Sequence, residues 1–402
     1  GQTLYERALL AEASGEARQA TELAQRFVLY DPNGELARRW DAPALVSLTA
    51  TPPGARASLA RDGGPGVPAE ARDLGPLPVA GLALERGSYL LTLSAPGRAP
   101  LRYPLAARRG ERLAIDVDLP AAAAVPAGFV YVPPGRFLFG SAGDEQARRG
   151  FFDTVPRHEV GTGGYLIGRT EVTYADWLAY LDSLPPPERA RRAPGTGAAQ
   201  SLNGTIQLTQ APDGGPWTLL YRPLETTYRA RAGEPIVYAG RREHARHDWL
   251  KFPVTGVSAD DALAYAAWLD ASGRLPGARL CTEYEWERAA RGADGRAYPH
   301  GDKLARGDVN LDEAHGRENM GLDEVGSHPA SRSPFGLDDM SGNAIEWVRS
   351  SLAADEFVVR GGSYFHDQKT ASSFNRAVAP RSLRDIVGGV RVCATFPRRA
   401  PE

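Results

Sequence analysis

"FGLDDMSGNAIEWV", residues 335–348, combines two aspartates, a glycine turn and a Glu-Trp pair in one short stretch. It belongs to a set of evenly spaced aromatic and glycine motifs between Phe129 and Phe396. The other motifs are FVYVPPGRFLFGS (129–141), YLIGRTEVTYADWLAYL (165–181), FPVTGVSADDALAYAAWLDA (252–271), RLCTEYEWERAARG (279–292), VVRGGSYF (358–365) and GGVRVC (388–393). Two of them predict amphipathic helices, each opened by a capping residue, Thr173 or Ser258. The Gly-, Pro- and Arg-rich stretch 185–248 between these helices predicts a long surface insertion with some hairpin content.

This ordered set resembles the formylglycine-generating enzyme family, also called the sulfatase-modifying factor family. Because several motifs occur in the family's order, the resemblance is far more specific than any single motif. It implies an irregular, loop-rich α+β fold related to the C-type lectins. We therefore expect residues 129–402, about two thirds of the chain, to form one such domain.

The upstream residues predict two smaller parts and a linker. Over 1–40, apolar residues recur at helical spacing with a break at Gly15, which predicts a helical segment. Over 41–120, short β runs separated by proline and glycine predict a small all-β sandwich. Its turn at Pro52-Pro53-Gly54-Ala55 resembles that of the PEGA module, which would act as a spacer without a ligand. Residues 121–128 predict a linker.

Composition limits the classes of partner. The chain has 402 residues, 42% hydrophobic and 24% charged, which suits about two or three globular domains. Its formal net charge is −2, and Lys251, Lys303 and Lys369 are the only lysines. No dense basic run is interleaved with aromatics, so we expect no nucleic-acid partner. We also expect no membrane span, because no apolar run reaches about 18 residues.

Cys281 and Cys393 are the only cysteines, and their motifs predict two buried thiols rather than a disulfide framework. The compartment therefore stays open, with the cytoplasm as our expectation and an extracytoplasmic location as the alternative. The first residues have neither a methionine nor a signal-peptide pattern, which fits a piece of a longer protein.

The resemblance implies a copper(I) site made by two cysteines shortly after the RGGS turn, because soft thiolate ligands suit that ion. In RGGSYFHDQKTA, Ser363 is retained, but the two cysteine positions are occupied by His366 and Ala371. Cys281 and Cys393 lie in other motifs and cannot replace them. We therefore expect no copper and no formylglycine-generating activity.

Iron enzymes related to this family use three histidines, whereas the seven histidines here are scattered through loops. His244 and His247 in REHARHD would share one face of a helix and would suit zinc or iron. Because no third ligand is evident and the segment is rich in arginine, we interpret it as a solvated charged face and expect no iron. His366 beside Asp367 is the better metal candidate, although two residues do not make a site.

The resemblance further implies structural calcium at DMSGNAIEW, through Asp339, the backbone carbonyls of Gly342 and Ala344, and Glu346. Carboxylate and carbonyl oxygens are the ligands that calcium prefers, and Gly342 permits the tight turn. In the alternative, Asp339 caps a turn and Glu346 bonds to backbone.

A second family calcium loop would begin at VNLDEAHGRENMGLDE, with Asn310 and the carbonyl of Leu311 as ligands. The later part of this loop is shortened here. Asn319 and Asp323 remain alternatives for the next ligand.

The segment between RGGS and GGVRV predicts an exposed recognition surface held at two strand-like ends. Its side chains lack the apolar alternation of a buried strand, and mixed aromatic and polar groups suit ligand recognition. An ordinary polar loop is the alternative. The predicted surface comprises Ser363, Tyr364, Phe365, His366, Asp367, Lys369, Ser372, Ser373, Phe374 and Asn375, with Arg376 and Arg384 behind them.

These features favour a non-catalytic module that binds a protein or a small-molecule ligand. The chain looks similar to the part of bacterial Ser/Thr kinases that follows the kinase domain, so a sensor or docking role is one context; kinase motifs are absent here. A second context is a binding protein diversified by retroelements, because the residue types that such diversification produces are frequent between positions 364 and 375. The alternative function is a metal-dependent oxidase with Ser363, His366 and Asp367 at the old copper position.

Overall fold

The computed structural model describes residues 1–14, 16–62, 70–143, 148, 153–196, 204–211 and 214–396. Backbone contacts divide the chain into two compact units, one built mainly from residues before Ala123 and one mainly from Ala123 onward. Helices and antiparallel strands occur in both units. The predicted α+β class, with a helical segment and a small β sandwich ahead of the larger domain, is confirmed.

The first unit begins with three helices, α1 (Gln2–Ala13), α2 (Ala17–Val28) and α3 (Glu35–Trp40). Short helices are marginal alone and depend on tertiary packing. Here the buried rings of Tyr5 and Phe27 meet edge to face, with centroids 5.4 Å apart. This aromatic contact holds α1 against α2.

Two sheets complete the first unit. One has the strand order β4-β1-β7 and the other β3-β2-β5-β6. The strands are β1 (Ala44–Thr51), β2 (Arg56–Arg61), β3 (Arg72–Pro76), β4 (Val79–Leu84), β5 (Gly87–Ser94), β6 (Leu101–Ala107) and β7 (Arg112–Asp118). In β5, alternate residues Tyr89, Leu91 and Leu93 are buried, as the period of a strand with one covered face requires. The likeness to PEGA modules stays a prediction.

The second unit is irregular, with several small sheets and long connections. Its helices are α4 (Tyr174–Asp182), α5 (Pro186–Arg192), α6 (Ala259–Ala271) and α7 (Glu283–Arg291). Its first strands are β8 (Phe129–Val132), β9 (Gly135–Phe139), β10 (His158–Thr162), β11 (Tyr165–Gly168), β12 (Thr205–Thr209), β13 (Thr218–Arg222), β14 (Tyr228–Arg231), β15 (Pro235–Val237) and β16 (Arg246–Asp248). Its later strands are β17 (Ala278–Leu280), β18 (Ile345–Arg349), β19 (Phe357–Arg360), β20 (Ala377–Val378), β21 (Gly388–Val390) and β22 (Val392–Thr395).

The two capped helices form as the sequence predicts. Thr173 and Ser258 each accept a hydrogen bond from the backbone N–H three residues later, of Asp176 and Asp261, and those aspartates bond back to the cap. These reciprocal pairs satisfy donors that a helix start leaves open. The predicted helix starts are confirmed.

The stretch 185–248 is more than a surface insertion. It contains α5, the antiparallel sheet β12-β13-β14 and the hairpin β15-β16. Trp217, Tyr221 and Tyr238 from this stretch are buried in the main hydrophobic core of the unit. Large aromatic side chains contribute much of the area that a core buries, so this stretch stabilises the domain.

Cys281 and Cys393 form a disulfide, so the prediction of two free thiols is wrong. Cys281 directly follows β17, which pairs antiparallel with β22, the strand that contains Cys393. This pairing brings two positions 112 residues apart in the sequence to a Cα–Cα distance of 4.9 Å. That is within the range a disulfide spans.

A buried ionic network links α7 to β19 and to the segment after it. Arg360 donates to Glu283 at 2.9 Å and also pairs with Glu287. Arg376 donates to Glu283 at 2.8 Å, and Arg291 donates to Glu287 at 2.7 Å. Charges buried in a protein interior are tolerated only when they are paired in this way.

We predict that Glu283→Gln destabilises the protein by about 3–5 kcal/mol, because it removes one partner of a buried charge network. Burial alone would raise the pKa of Glu283, but the charges of Arg360 and Arg376 outweigh burial and hold that pKa below its ordinary value of 4.5. The stabilisation is therefore fully present above pH 4.5 and is lost as the pH falls through the lower folded-state pKa. Denaturant unfolding from pH 7 to pH 3 measures the difference.

The matched control is Glu159→Gln, which breaks an exposed pair with Arg136 at 2.9 Å. Exposed pairs contribute about 0–1 kcal/mol, so this variant should unfold close to the natural protein. A difference between Glu283→Gln and the natural protein that does not shrink at the acid end would contradict the assignment.

Candidate functional site

The predicted recognition surface lies in the segment 361–376, between β19 and β20. Most of this segment is buried, so the prediction of an exposed surface is wrong for its central residues. The buried members are Ser363, Tyr364, Ser372, Ser373, Asn375 and Arg376. Asp367 and Lys369 are exposed, and Phe365, His366 and Phe374 are half-buried.

Tyr364 is a core residue. It is fully buried, its ring lies edge to face with that of Tyr221 at 6.4 Å, and its backbone N–H donates to the carbonyl of Asn343 at 3.1 Å. The lack of strand-like apolar alternation does not predict exposure here. The segment is a turn, and individual side chains of a turn can pack into the core without a repeating pattern.

Arg376 and Arg384 hold structural carboxylates rather than facing an open cleft. Arg376 belongs to the ionic network of α7. Arg384 donates to Asp261 at 2.8 Å and to the carbonyls of Arg191 and Ala193 at 2.7 and 3.1 Å. Both guanidinium groups fasten neighbouring elements together.

The two positions that match the family's cysteines have different surroundings. His366 Nδ1 lies 2.7 Å from the hydroxyl of Ser363, and burial lowers the pKa of His366. A neutral imidazole accepting from a hydroxyl is a general-base arrangement. Ser363 is fully buried, however, and its oxygen also accepts from the N–H of Phe365 at 3.2 Å, so the pair holds the turn. Ala371 lies in an apolar cluster with Val309.

The DMSGNAIEW loop makes the tight turn that the sequence predicts. Gly342 has φ +75°, and a Cβ there would lie 2.4 Å from Val309 and 2.5 Å from the carbonyl oxygen of Asn310. Only glycine fits such a position. Asp339 and Asn343 also have positive φ, +56° and +60°, which short polar side chains tolerate best.

Glu346 is already fully engaged. Its carboxylate accepts from Arg391 at 2.7 Å and from the indole N–H of Trp286 at 2.5 Å. The guanidinium of Arg391 supplies the positive charge that a calcium ion would bring. In this arrangement Glu346 is therefore not available as a calcium ligand. It also does not bond to backbone as in the alternative interpretation; its partners are side chains.

The same loop nevertheless has an excess of negative charge. Burial raises the pKa of Asp339 to about 6, while its carboxylate accepts from the N–H of Gly326 at 2.5 Å. Burial and the charge of Asp339 raise the pKa of Glu171 well above its ordinary value, although Arg391 lies 3.7 Å away. Protons or a cation would relieve this excess. Calcium at Asp339, Gly342 and Ala344 therefore stays a prediction.

The second predicted calcium loop is partly occupied. The amide nitrogen of Asn310 donates to the carbonyl of Gly321 at 2.9 Å and to Asn343 at 3.1 Å, and the Leu311 side chain is buried. Asn310 Oδ1 has no hydrogen-bond partner among the described residues. Of the two alternatives for the next ligand, Asp323 bonds to other side chains. Across the described parts of the chain, no three histidine, cysteine or carboxylate groups are arranged to hold a metal ion.

The interpretation of His244 and His247 as a solvated face is wrong. β15 and β16 form a hairpin rather than a helix, and His247 is buried. His247, His315 and His328 converge on Asp323 with N–O distances of 3.3, 3.3 and 2.9 Å. Arg241 donates to the same carboxylate. We call these five residues the Asp323 cluster.

The charges in the Asp323 cluster are set by its hydrogen bonds. Burial alone would raise the pKa of Asp323, but the three histidines and Arg241 hold it well below its ordinary value. Burial alone would lower the pKa of His328, but the bond to Asp323 raises it. His328 Nδ1 also lies 3.1 Å from the carbonyl of Gly307, so both ring nitrogens face acceptors.

A cavity of about 510 Å³ opens beside this cluster. Sequence reasoning missed the site because its contributors come from two distant segments, 240–247 and 306–328. The one available signal was that four of the seven histidines fall within these segments. The two segments come close at Gly240, where a Cβ would lie 2.0 Å from Asn319 Oδ1.

Comparison with known proteins gives a family match over most of the second unit. Residues 118–396 match the family described as "Sulfatase-modifying factor enzyme 1-like domain". A Bos taurus protein named inactive C-alpha-formylglycine-generating enzyme 2 is 39% identical over 221 residues, 52% of this chain and 62% of that protein. The serine/threonine-protein kinase pkn1 of Chlamydia caviae is 25% identical over 273 residues, 68% of this chain and 35% of the kinase.

A solved structure, PvdO from Pseudomonas aeruginosa, is similar over 67% of this chain and 94% of that chain, with 22% identity and a TM-score of 0.47. The chain thus spans about six tenths of the bovine relative and about a third of the kinase. None of the described helices has the length and apolarity to cross a membrane.

We predict that Tyr364→Ala destabilises the protein by about 3–5 kcal/mol, because it leaves a cavity in the core. Lys369→Ala, an exposed change on the same segment, should stay within about 0.5 kcal/mol of the natural protein. Denaturant unfolding compares the two. If Tyr364→Ala were as stable as Lys369→Ala, the exposed-surface interpretation would stand after all.

We predict that calcium at the DMSGNAIEW loop raises the melting temperature and that a chelator lowers it. An ion that binds only the folded state at 100 times its Kd adds about 2.7 kcal/mol. Asp339→Asn should abolish the calcium response, whereas Asp355→Asn, at an exposed position, should keep it. A melting temperature that ignores both calcium and chelator would rule the site out.

Proposed function

The chain belongs to the sulfatase-modifying factor enzyme 1-like family, and on that premise we propose that it is a non-catalytic module that binds a protein or small-molecule ligand. The observation that carries the proposal is the state of its cysteines and of the positions that match the family's copper ligands. Cys281 and Cys393 are bonded to each other, and His366 and Ala371 stand at the copper positions. No thiolate is left to bind copper(I), which prefers such soft ligands.

Two relatives support this proposal. The bovine relative is named as inactive. The Chlamydia caviae relative is a kinase, and the match covers 35% of its length. This coverage supports a role for the chain as the sensor or docking part of a larger signalling protein that also contains a kinase domain. The burial of Tyr364 and Asn375 weighs against a retroelement-diversified surface at this segment, because a variable surface must be exposed.

The cavity beside the Asp323 cluster supports the binding role best. Binding sites for small molecules are concave, have volumes of about 300–1,000 Å³ and contain a few convergent polar groups. The cavity, at about 510 Å³, meets these requirements. The exposed part of the recognition segment, at Asp367 and Lys369, does not line this cavity.

The disulfide also bears on the compartment. Disulfides persist in oxidising compartments and are rare in the cytosol of most organisms. The Cys281–Cys393 bond therefore supports the extracytoplasmic alternative over the cytoplasmic expectation.

We predict that the purified full chain, supplied with copper and oxygen, leaves a sulfatase-type cysteine peptide unconverted in a mass-spectrometric assay. Metal analysis should find neither copper nor iron in stoichiometric amount. An active formylglycine-generating enzyme run in parallel establishes that the peptide is a substrate. Conversion of the peptide, or bound stoichiometric copper or iron, would instead support the metal-dependent oxidase.

A further inference from the structure

The walls of the cavity beside the Asp323 cluster carry more basic than acidic side chains. Among the described residues, its lining contains guanidinium and imidazole groups with one carboxylate, that of Glu243. The basic lining residues are Arg241, Arg242, His244, Arg306, His315 and His328. A concave surface lined by one sign of charge concentrates ligands of the opposite sign.

Asp323 offsets the charge of Arg241, its ion-pair partner, so the remaining guanidinium charge at the cavity is that of Arg242 and Arg306. Asp323 is fully buried, and its carboxylate is used by Arg241 and by the three histidines of the cluster. Arg241 is fixed further by donating to the carbonyls of Asn319 and Gly321 at 2.7 and 3.0 Å. Arg241 and His328 therefore form a rigid floor to the cavity.

Arg242 and Arg306 are exposed at the edge of the cavity. Within the described ranges neither guanidinium has an ion-pair partner. An arginine without a carboxylate partner keeps its parallel N–H groups available for a bidentate contact with an oxyanion.

His244 is held on the wall by a strained backbone. Its φ is +49°, a left-handed conformation that is unfavourable for a non-glycine residue. Its ring stacks on that of His328 with centroids 5.0 Å apart. Such outliers cluster at ligand sites, where the surrounding structure maintains them. His244 lines the same cavity as Arg242 and Arg306.

A metal ion fits this place poorly. Arg241 would repel a cation, and both ring nitrogens of His328 already face protein oxygens. An oxyanion has the opposite requirement, since it needs several converging donors and positive charge. The planar fork of a guanidinium group matches the oxygens of a phosphate, which carries more negative charge than a carboxylate.

We propose that this cavity binds a phosphate group, either as inorganic phosphate or as part of a small phosphorylated molecule, through Arg242, Arg306 and His244 above the floor of Arg241 and His328. The inference rests on the proposed function, because it names the ligand class of the binding module. The volume of about 510 Å³ leaves room for a small molecule attached to the phosphate.

Calorimetric titration of the full chain with inorganic phosphate and with glucose 6-phosphate tests the proposal. We expect saturable binding of at least one, weakened tenfold or more in Arg242→Gln/Arg306→Gln. The control Arg229→Gln/Arg349→Gln removes the same charge at exposed positions of β14 and β18 and should change affinity less than twofold. Melting temperatures of both double variants should match that of the natural protein.

Equal affinity for the two probes would support the free ion, and tighter binding of glucose 6-phosphate would support a phosphorylated small molecule. Absence of saturable binding, equal weakening in the control, zinc binding that displaces phosphate, or binding of a phosphopeptide alone would each overturn the proposal. Conversion of the cysteine peptide by the chain would remove the proposed function whatever the titration shows. A failed titration without peptide conversion would remove this inference only.

Discussion

The pairing of Arg360 with Glu283 and Glu287 is the interaction around which the second unit is organised. Arg360 lies on β19 directly opposite Glu346 on β18, and its guanidinium stands 5.2 Å from the ring of Trp286 on α7. Trp286 in turn donates to Glu346, which binds Arg391. One helix and two strands are thus joined by charges that are stable only while all of them are paired.

This network explains the glycines that follow Arg360. A Cβ at Gly361 would lie 3.1 Å from Trp286, and one at Gly362 would lie 2.9 Å from the backbone of Ala371. Both residues have positive φ, so the chain turns sharply beneath the helix. The segment that follows is committed to packing.

The parts that sequence predicts well are those decided locally. The helices that begin after Thr173 and Ser258 follow from capping and period, and the turn at Gly342 follows from a glycine that nothing else can replace. The errors concern contacts between distant segments. Spacing alone suggested a helix for His244 and His247, where the chain forms a hairpin. The sequence shows the carboxylate of Glu346, but it does not show that Arg391 is the partner of that carboxylate.

The disulfide makes a covalent ring of everything between Cys281 and Cys393. Force applied at β22 would pass through sulfur to β17 without loading α7, β18 or β19, so the ionic network is shielded from tension along the chain. A single peptide-bond cleavage inside the ring would leave both pieces attached. This mechanical isolation keeps the region rich in buried charge intact when its neighbours in the chain are pulled or cut.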